Sequence, residues 1–196
     1  MTRKVNVEAL LAEVRACQVC AAHLPHGPRP IVRLGASARL VIIGQAPGSK
    51  VHASGVPWQD DSGNRLREWT GLDSKTFYDP ARVALLPIGF CYPGAGAGAD
   101  LPPRLECAPL WHARLLAALP PSRLTLLVGI HAQAYYLKAS PKRTMTEAVR
   151  SFAEHLPTYF PLPHPSWRST GWMRKNPWFA ADVLSALRAA VRDAVA

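Results

Sequence analysis

Arg39-Leu40-Val41-Ile42-Ile43-Gly44-Gln45-Ala46-Pro47-Gly48 decides the fold, and Gly55-Val56-Pro57-Trp58 and Ser62-Gly63 extend it. The apolar, β-branched run predicts a buried strand. It must stop at Gly44, Pro47 and Gly48, where the chain turns. A strand that feeds a tight Gly/Pro loop is where α/β sheets hold their ligands. Small residues let a ligand approach the backbone, and the turn leaves N–H groups free. The loop after Ile43 is therefore the expected floor of a site.

Outward from this stretch, strands alternate with helical patterns. Val7, Leu10, Leu11 and Val14 are spaced for an amphipathic helix from Asn6 to Ala16 that runs into Cys17-Gln18-Val19-Cys20. Asn64 to Thr70 reads as a helix with Ser62 as its cap and Gly71 as its end. Val83–Ile88, Leu124–Gly129 and Tyr159–Leu162 read as further strands. Cys107–Leu119, Ala132–Leu137, Thr144–Phe152 and Phe179–Val195 read as helices, and Cys91–Pro103 as a long Gly/Ala/Pro loop. The pattern predicts an α/β fold: three layers, α/β/α, around a central four-stranded parallel sheet.

The 196 residues suffice for a full core, so a single domain over 1–196 is expected. No apolar run is long enough to span a bilayer and no signal-peptide pattern opens the chain, which predicts a soluble, intracellular protein. Lys and Arg number 23 against 13 Asp and Glu, a formal charge of +10. Such a balance favours a polyanionic partner, and basic residues interleaved with aromatics and prolines favour nucleic acid. The 4 cysteines of an intracellular chain argue against structural disulfides. A close Cys17-x-x-Cys20 with two distant thiols, Cys91 and Cys107, suits a metal centre.

His164-Pro165-Ser166 stands at the mouth of the last strand. In a parallel sheet that mouth lies on the same edge as the Gln45 loop, so one cleft can join them. Taken in order, Cys17-x-x-Cys20, Gly44–Gly48, Gly55–Trp58, Ser62-Gly63, Cys91, Cys107 and His164–Ser166 resemble the uracil-DNA glycosylase superfamily. The likeness is strongest to its iron–sulfur families, whose first motif is Gly-Glu-x-Pro-Gly, with this chain a divergent member.

The resemblance implies the uracil-DNA glycosylase-like fold and a monofunctional hydrolase of DNA repair. It would cleave the N-glycosidic bond of uracil, or a related deaminated base, after flipping the base into a pocket. Gly44, Gln45, Ala46, Trp58 and His164 would hold the base, with Trp58 where the family stacks a Phe. His164 would donate a hydrogen bond as charge builds on the departing ring. Pro47, Gly48, Ser166, Trp167, Arg168, Arg174 and Lys175 would meet DNA, with Trp167 or Met173 as the wedge. Trp178 is expected to anchor the last helix. Cys17, Cys20, Cys91 and Cys107 would hold a [4Fe–4S] cluster, with zinc as the alternative. The partner would be DNA carrying uracil or another damaged base, met by a monomer in the cytoplasm at the nucleoid.

The chain departs from the family pattern in two places. Gln45 replaces the usual Glu, position 46 is Ala, and Val51 stands where iron–sulfur relatives carry a second acid. The group that positions the hydrolytic water is then Asp60 or His52, with Gln45 beside them. The Asn that reads uracil is also missing, since Leu86-Pro87-Ile88-Gly89-Phe90 precedes Cys91. A non-catalytic binder of damaged or abasic DNA on the same fold is the alternative function, and a redox protein with a basic surface is a more distant one.

Overall fold

The computed structural model describes residues 6–137 and 144–196. Its sheet is built by β1 (Leu40–Ile43), β2 (Val83–Leu85), β3 (Leu124–Val128) and β4 (Tyr159–Leu162). All pairings are parallel and the spatial order is β2-β1-β3-β4. Register places Leu40 beside both Val83 and Leu124, and Leu126 beside Phe160.

Alternate strand residues feed opposite faces, as a pleated strand requires. Val41, Ile43 and Leu127 join Leu10, Val14, Trp111 and Leu115 on one side. Leu40, Ile42, Leu126 and Val128 join Leu66, Trp69, Phe179 and Leu187 on the other. Burial on both faces explains why these strands read as continuous apolar runs. The outer edge of β2 is covered as well: Arg33 and Leu85 exchange backbone hydrogen bonds of 3.1 and 2.7 Å.

The helices are α1 (Val7–Arg15), α2 (Ser49–Ser54), α3 (Asp61–Thr70), α4 (Ser74–Phe77), α5 (Ala113–Ala117), α6 (Ile130–Tyr136), α7 (Met145–Arg150), α8 (Ser169–Lys175) and α9 (Leu184–Val195). Wide turns over Ala108–His112 and Phe179–Val183 lead into α5 and α9. The expected cap of α3 is corrected. Asp60, not Ser62, accepts the Gly63 N–H, so the helix starts at Asp61. The α2 and α4 helices fall where no helix was expected, and α8 occupies the stretch expected to supply the wedge and the phosphate contacts.

The arrangement of helices positions the site. After β1 the chain goes to α3, whose Leu66 and Trp69 lie on one face. After β3 it goes to α6, whose Ala132 lies on the other. The connections from adjacent strands thus diverge, and a crevice opens outside their carboxyl ends.

One buried polar network braces the crevice wall. His112 is 2% exposed. Its Nε2 lies 3.0 Å from the Pro87 carbonyl oxygen, which can only accept, so Nε2 donates and Nδ1 accepts from the Tyr136 hydroxyl. Burial pushes the His112 pKa down to about 4. The unfolded chain therefore binds a proton that the folded one refuses between about pH 6.5 and 4. Stability is full above that window and falls as pH drops through it, by about 3 kcal/mol from His112. Urea unfolding at stepped pH checks this. His112→Phe should flatten the slope.

Candidate active site

A cavity of about 650 Å³ opens at the carboxyl ends of the strands. Gly44, Gln45, Ala46, Pro47 and Gly48 line it from the loop after β1, and His164, Ser166, Trp167 and Arg168 from the loop after β4. Trp58, Asp60, Pro87 and Asp100 complete the wall that matters for chemistry. The Gln45 loop and His164 thus face one hollow.

Trp58 is held in an unusual backbone state. Its φ is 58°, in the left-handed region that a bulky side chain avoids at a cost of about 1–3 kcal/mol. Its surroundings over-determine it. The Tyr78 hydroxyl donates to the Trp58 carbonyl at 3.2 Å. A Cβ on Gly44 would fall 2.6 Å from the indole Cζ2, so glycine there lets the ring lie against the β1 turn. The indole comes to rest 6.0 Å from the His164 ring, inclined by 28°. Partly packed against the core, it also lines the cavity. Strain of this kind gathers at ligand sites.

His164 is fixed by the turn after β3. A Cβ on Gly129 would lie 3.3 Å from His164 Cβ, and the Gly129 φ of 90° itself calls for glycine. Burial pushes the His164 pKa down to about 4, and the nearby His131 adds to the shift. The ring is therefore neutral near pH 7 and offers an N–H rather than a cation. Arg65 anchors the next residues, donating to the Ser166 carbonyl at 2.6 Å and to Ser169 Oγ at 3.2 Å.

The two residues proposed to position water end up in different places. Asp60 lines the cavity, but one of its oxygens accepts the Gly63 N–H at 2.8 Å as the α3 cap. Asp60→Ala should cost about 1 kcal/mol in a urea titration. His52 is not among the cavity's lining residues. It sits in a cluster of rings with His26 and Tyr92, at 5.7 Å from each, and Arg29 donates to its carbonyl oxygen. Among the described residues its buried Nδ1 has no hydrogen-bond partner, and burial lowers its pKa.

Of the expected DNA contacts, Trp167 is 74% exposed at the cavity rim. The Arg168 guanidinium lies 5.1 Å from the Trp167 ring and donates to the Gly98 carbonyl at 3.0 Å. Arg174 and Lys175 lie outside the cavity, lining a shallow depression with Arg168 and Trp172. Met173 and Trp178 are partly buried against the α3/α9 core.

The cysteines are all free thiols. Cys20, Cys91 and Cys107 are buried and Cys17 partly so. Burial raises the pKa of Cys20 and Cys91 and takes Cys107 up to about 12. Cys107 lies in the field of the other three thiols, and Cys91 in that of Cys17 and Cys20. The Phe90 N–H donates to Cys107 Sγ at 3.5 Å. Among the described residues, no three His, Cys, Asp or Glu side chains are gathered closely enough to hold a metal ion. The residue that sequence reasoning missed is Asp100, in the loop after Cys91. Its signal was available: it is the lone acid between Cys91 and Leu105.

Residues 32–188 match the family model described as the uracil DNA glycosylase superfamily. The match covers the whole sheet, the Gln45 loop, Trp58, Asp100 and His164. The four parallel strands and the helices around them agree with that fold, and the chain belongs to the uracil-DNA glycosylase superfamily.

Proposed function

We propose that this protein is a monofunctional DNA glycosylase that removes uracil or a related deaminated base from DNA. The observation that carries the reading is the shared cavity. In a member of this superfamily, the Gln45 loop, Trp58 and His164 surround one hollow large enough for a nucleobase. A base inside a duplex must be flipped to reach it. Trp58 offers a π-face for stacking, worth about 1–3 kcal/mol. Neutral His164 donates to a base carbonyl as the glycosidic bond lengthens and negative charge grows on the ring. Exposed Trp167, with Arg174 and Lys175 beyond it, faces the duplex.

Cys17, Cys20, Cys91 and Cys107 hold a [4Fe–4S] cluster in this reading. The donor chemistry supports it, since free, largely buried thiols need positive charge before they ionise. Among the described residues, however, the thiols are not gathered as a cluster requires, so loading must draw them together. A bound cluster supplies that charge and ties the segment after α1 to the loop after β2. Zinc is the other candidate for the same thiols.

Oligonucleotides carrying uracil, hypoxanthine or xanthine, incubated with the protein, should yield alkali-labile abasic sites without strand nicking before alkali. Iron and sulfide analysis of the purified protein tests the cluster separately. The missing carboxylate at Gln45, Ala46 and Val51 favours a second reading, a binder of damaged DNA. Tight binding that falls with salt, with no base released, would support it instead.

A further inference from the structure

The hydrolysis proposed above needs an acceptor for a proton of the attacking water, and the first motif holds none. We infer that Asp100, on the hairpin after β2, is that acceptor. The inference rests on the glycosylase reading and deepens it.

Asp100 lines the same cavity as Gln45 and His164. Its Oδ2 would lie 3.1 Å from a Cβ at Gly48, so the carboxylate lies directly against the first-motif loop, and Gly48 leaves room for it. The other oxygen, Oδ1, accepts the Tyr92 hydroxyl at 3.2 Å. One oxygen is thus oriented by the protein and the other is left for water. Among the described residues, no helix-cap hydrogen bond or ion pair engages it, whereas Asp60 caps α3.

The loop that carries Asp100 is built, not loose. Ala95 and Asp100 form an antiparallel bridge. Gly96 N–H donates to Ala99 O at 2.7 Å and Leu101 N–H to Gly94 O at 2.8 Å. Arg168, from the His164 loop, reaches across to the Gly98 carbonyl. The two lips of the cavity are therefore tied together, with Asp100 on one and His164 on the other. Asp100 and His164 thus line one cavity from two tied loops, which lets a proton acceptor and the donor that meets the leaving base serve one bound nucleotide.

In the step, the water oxygen bonds to C1′ and passes one proton to Asp100. The C1′–N bond breaks, and its electron pair leaves with the base, whose growing charge His164 meets. The base anion later takes a proton from solvent.

Single-turnover base release by this chain tests this. Asp100→Asn should slow release about 100-fold or more. Its affinity for an uncleavable 2′-fluoro substrate, and its melting temperature, should match those of the parent. Asp100→Asn within about threefold of the parent rate would overturn the assignment. So would a rate loss that is matched by an equal loss of affinity. A parent protein that releases no base from any tested lesion would instead overturn the glycosylase reading, and with it the role given to Asp100.

Discussion

His164→Ala should slow base release by about 100- to 1,000-fold while DNA affinity stays close to that of the parent. The imidazole acts on charge that exists only as the bond breaks, so its loss should appear in the rate of the chemical step and not in binding. Its position depends on the fold: β4 delivers it beside the turn at Gly129, with the Trp58 ring next to it at 6.0 Å. Its pKa near 4 sets the pH behaviour. Protonation sets in only as pH falls toward 4, so lowering pH from 8 to about 6 should not titrate this group. His164→Gln, which keeps an N–H donor, should recover part of the rate. Quench-flow release assays with an anisotropy titration check both halves. Equal losses in rate and affinity would make His164 a binding residue only.

Gly63→Ala should destabilise the fold by about 3 kcal/mol or more. The usual effect of this change in a helix is the opposite, since Ala outranks Gly by about 1 kcal/mol. Here a Cβ would stand 1.7 Å from the Trp58 carbonyl oxygen. That neighbour is backbone, already held at a left-handed φ by the Tyr78 hydroxyl, and it cannot move aside cheaply. The Ser62-Gly63 pair therefore matters because α3 starts in contact with the Trp58 turn. Chemical denaturation gives the size of the loss. A variant that folds and is destabilised less should still lose activity, because shifting residue 58 moves the indole off the Gly44 floor. A stabilised Gly63→Ala would mean that α3 and the Trp58 turn do not touch.

Much of this was legible from residue order, and the gaps have physical causes. Leu40–Ile43 and Leu124–Val128 are buried on both faces, so each is a continuous apolar run. Strand ends told where the cavity would be, because parallel strands put Gly44 and His164 on one edge. The α8 helix was hidden. Trp167–Trp178 is broken by Gly171 and rich in aromatics, and what holds it helical is tertiary: the Trp172 indole N–H donates to Thr146 at 2.9 Å, and its ring meets Trp178 and Phe179 edge-on. Helix α2 is six residues long, too short to show a period, and is closed by Gly55 at φ 73°. His52 read as a pocket residue because only its distance along the chain from Gly48 was known. The helix α2 instead places it among His26 and Tyr92. Asp100 stood out as the lone acid of its loop, but its place at the site did not show in the sequence. It is 40 residues from Asp60 along the chain, and only the hairpin at Ala95–Asp100 brings it to the Gly48 loop.

The crystal structure of the product complex, with the excised base and abasic DNA bound, is the most direct check on the shared pocket. The base should lie flat on the Trp58 indole, with a carbonyl within hydrogen-bond reach of His164 and the sugar facing Asp100. A base bound elsewhere, or a His164 ring turned away from it, would contradict the account.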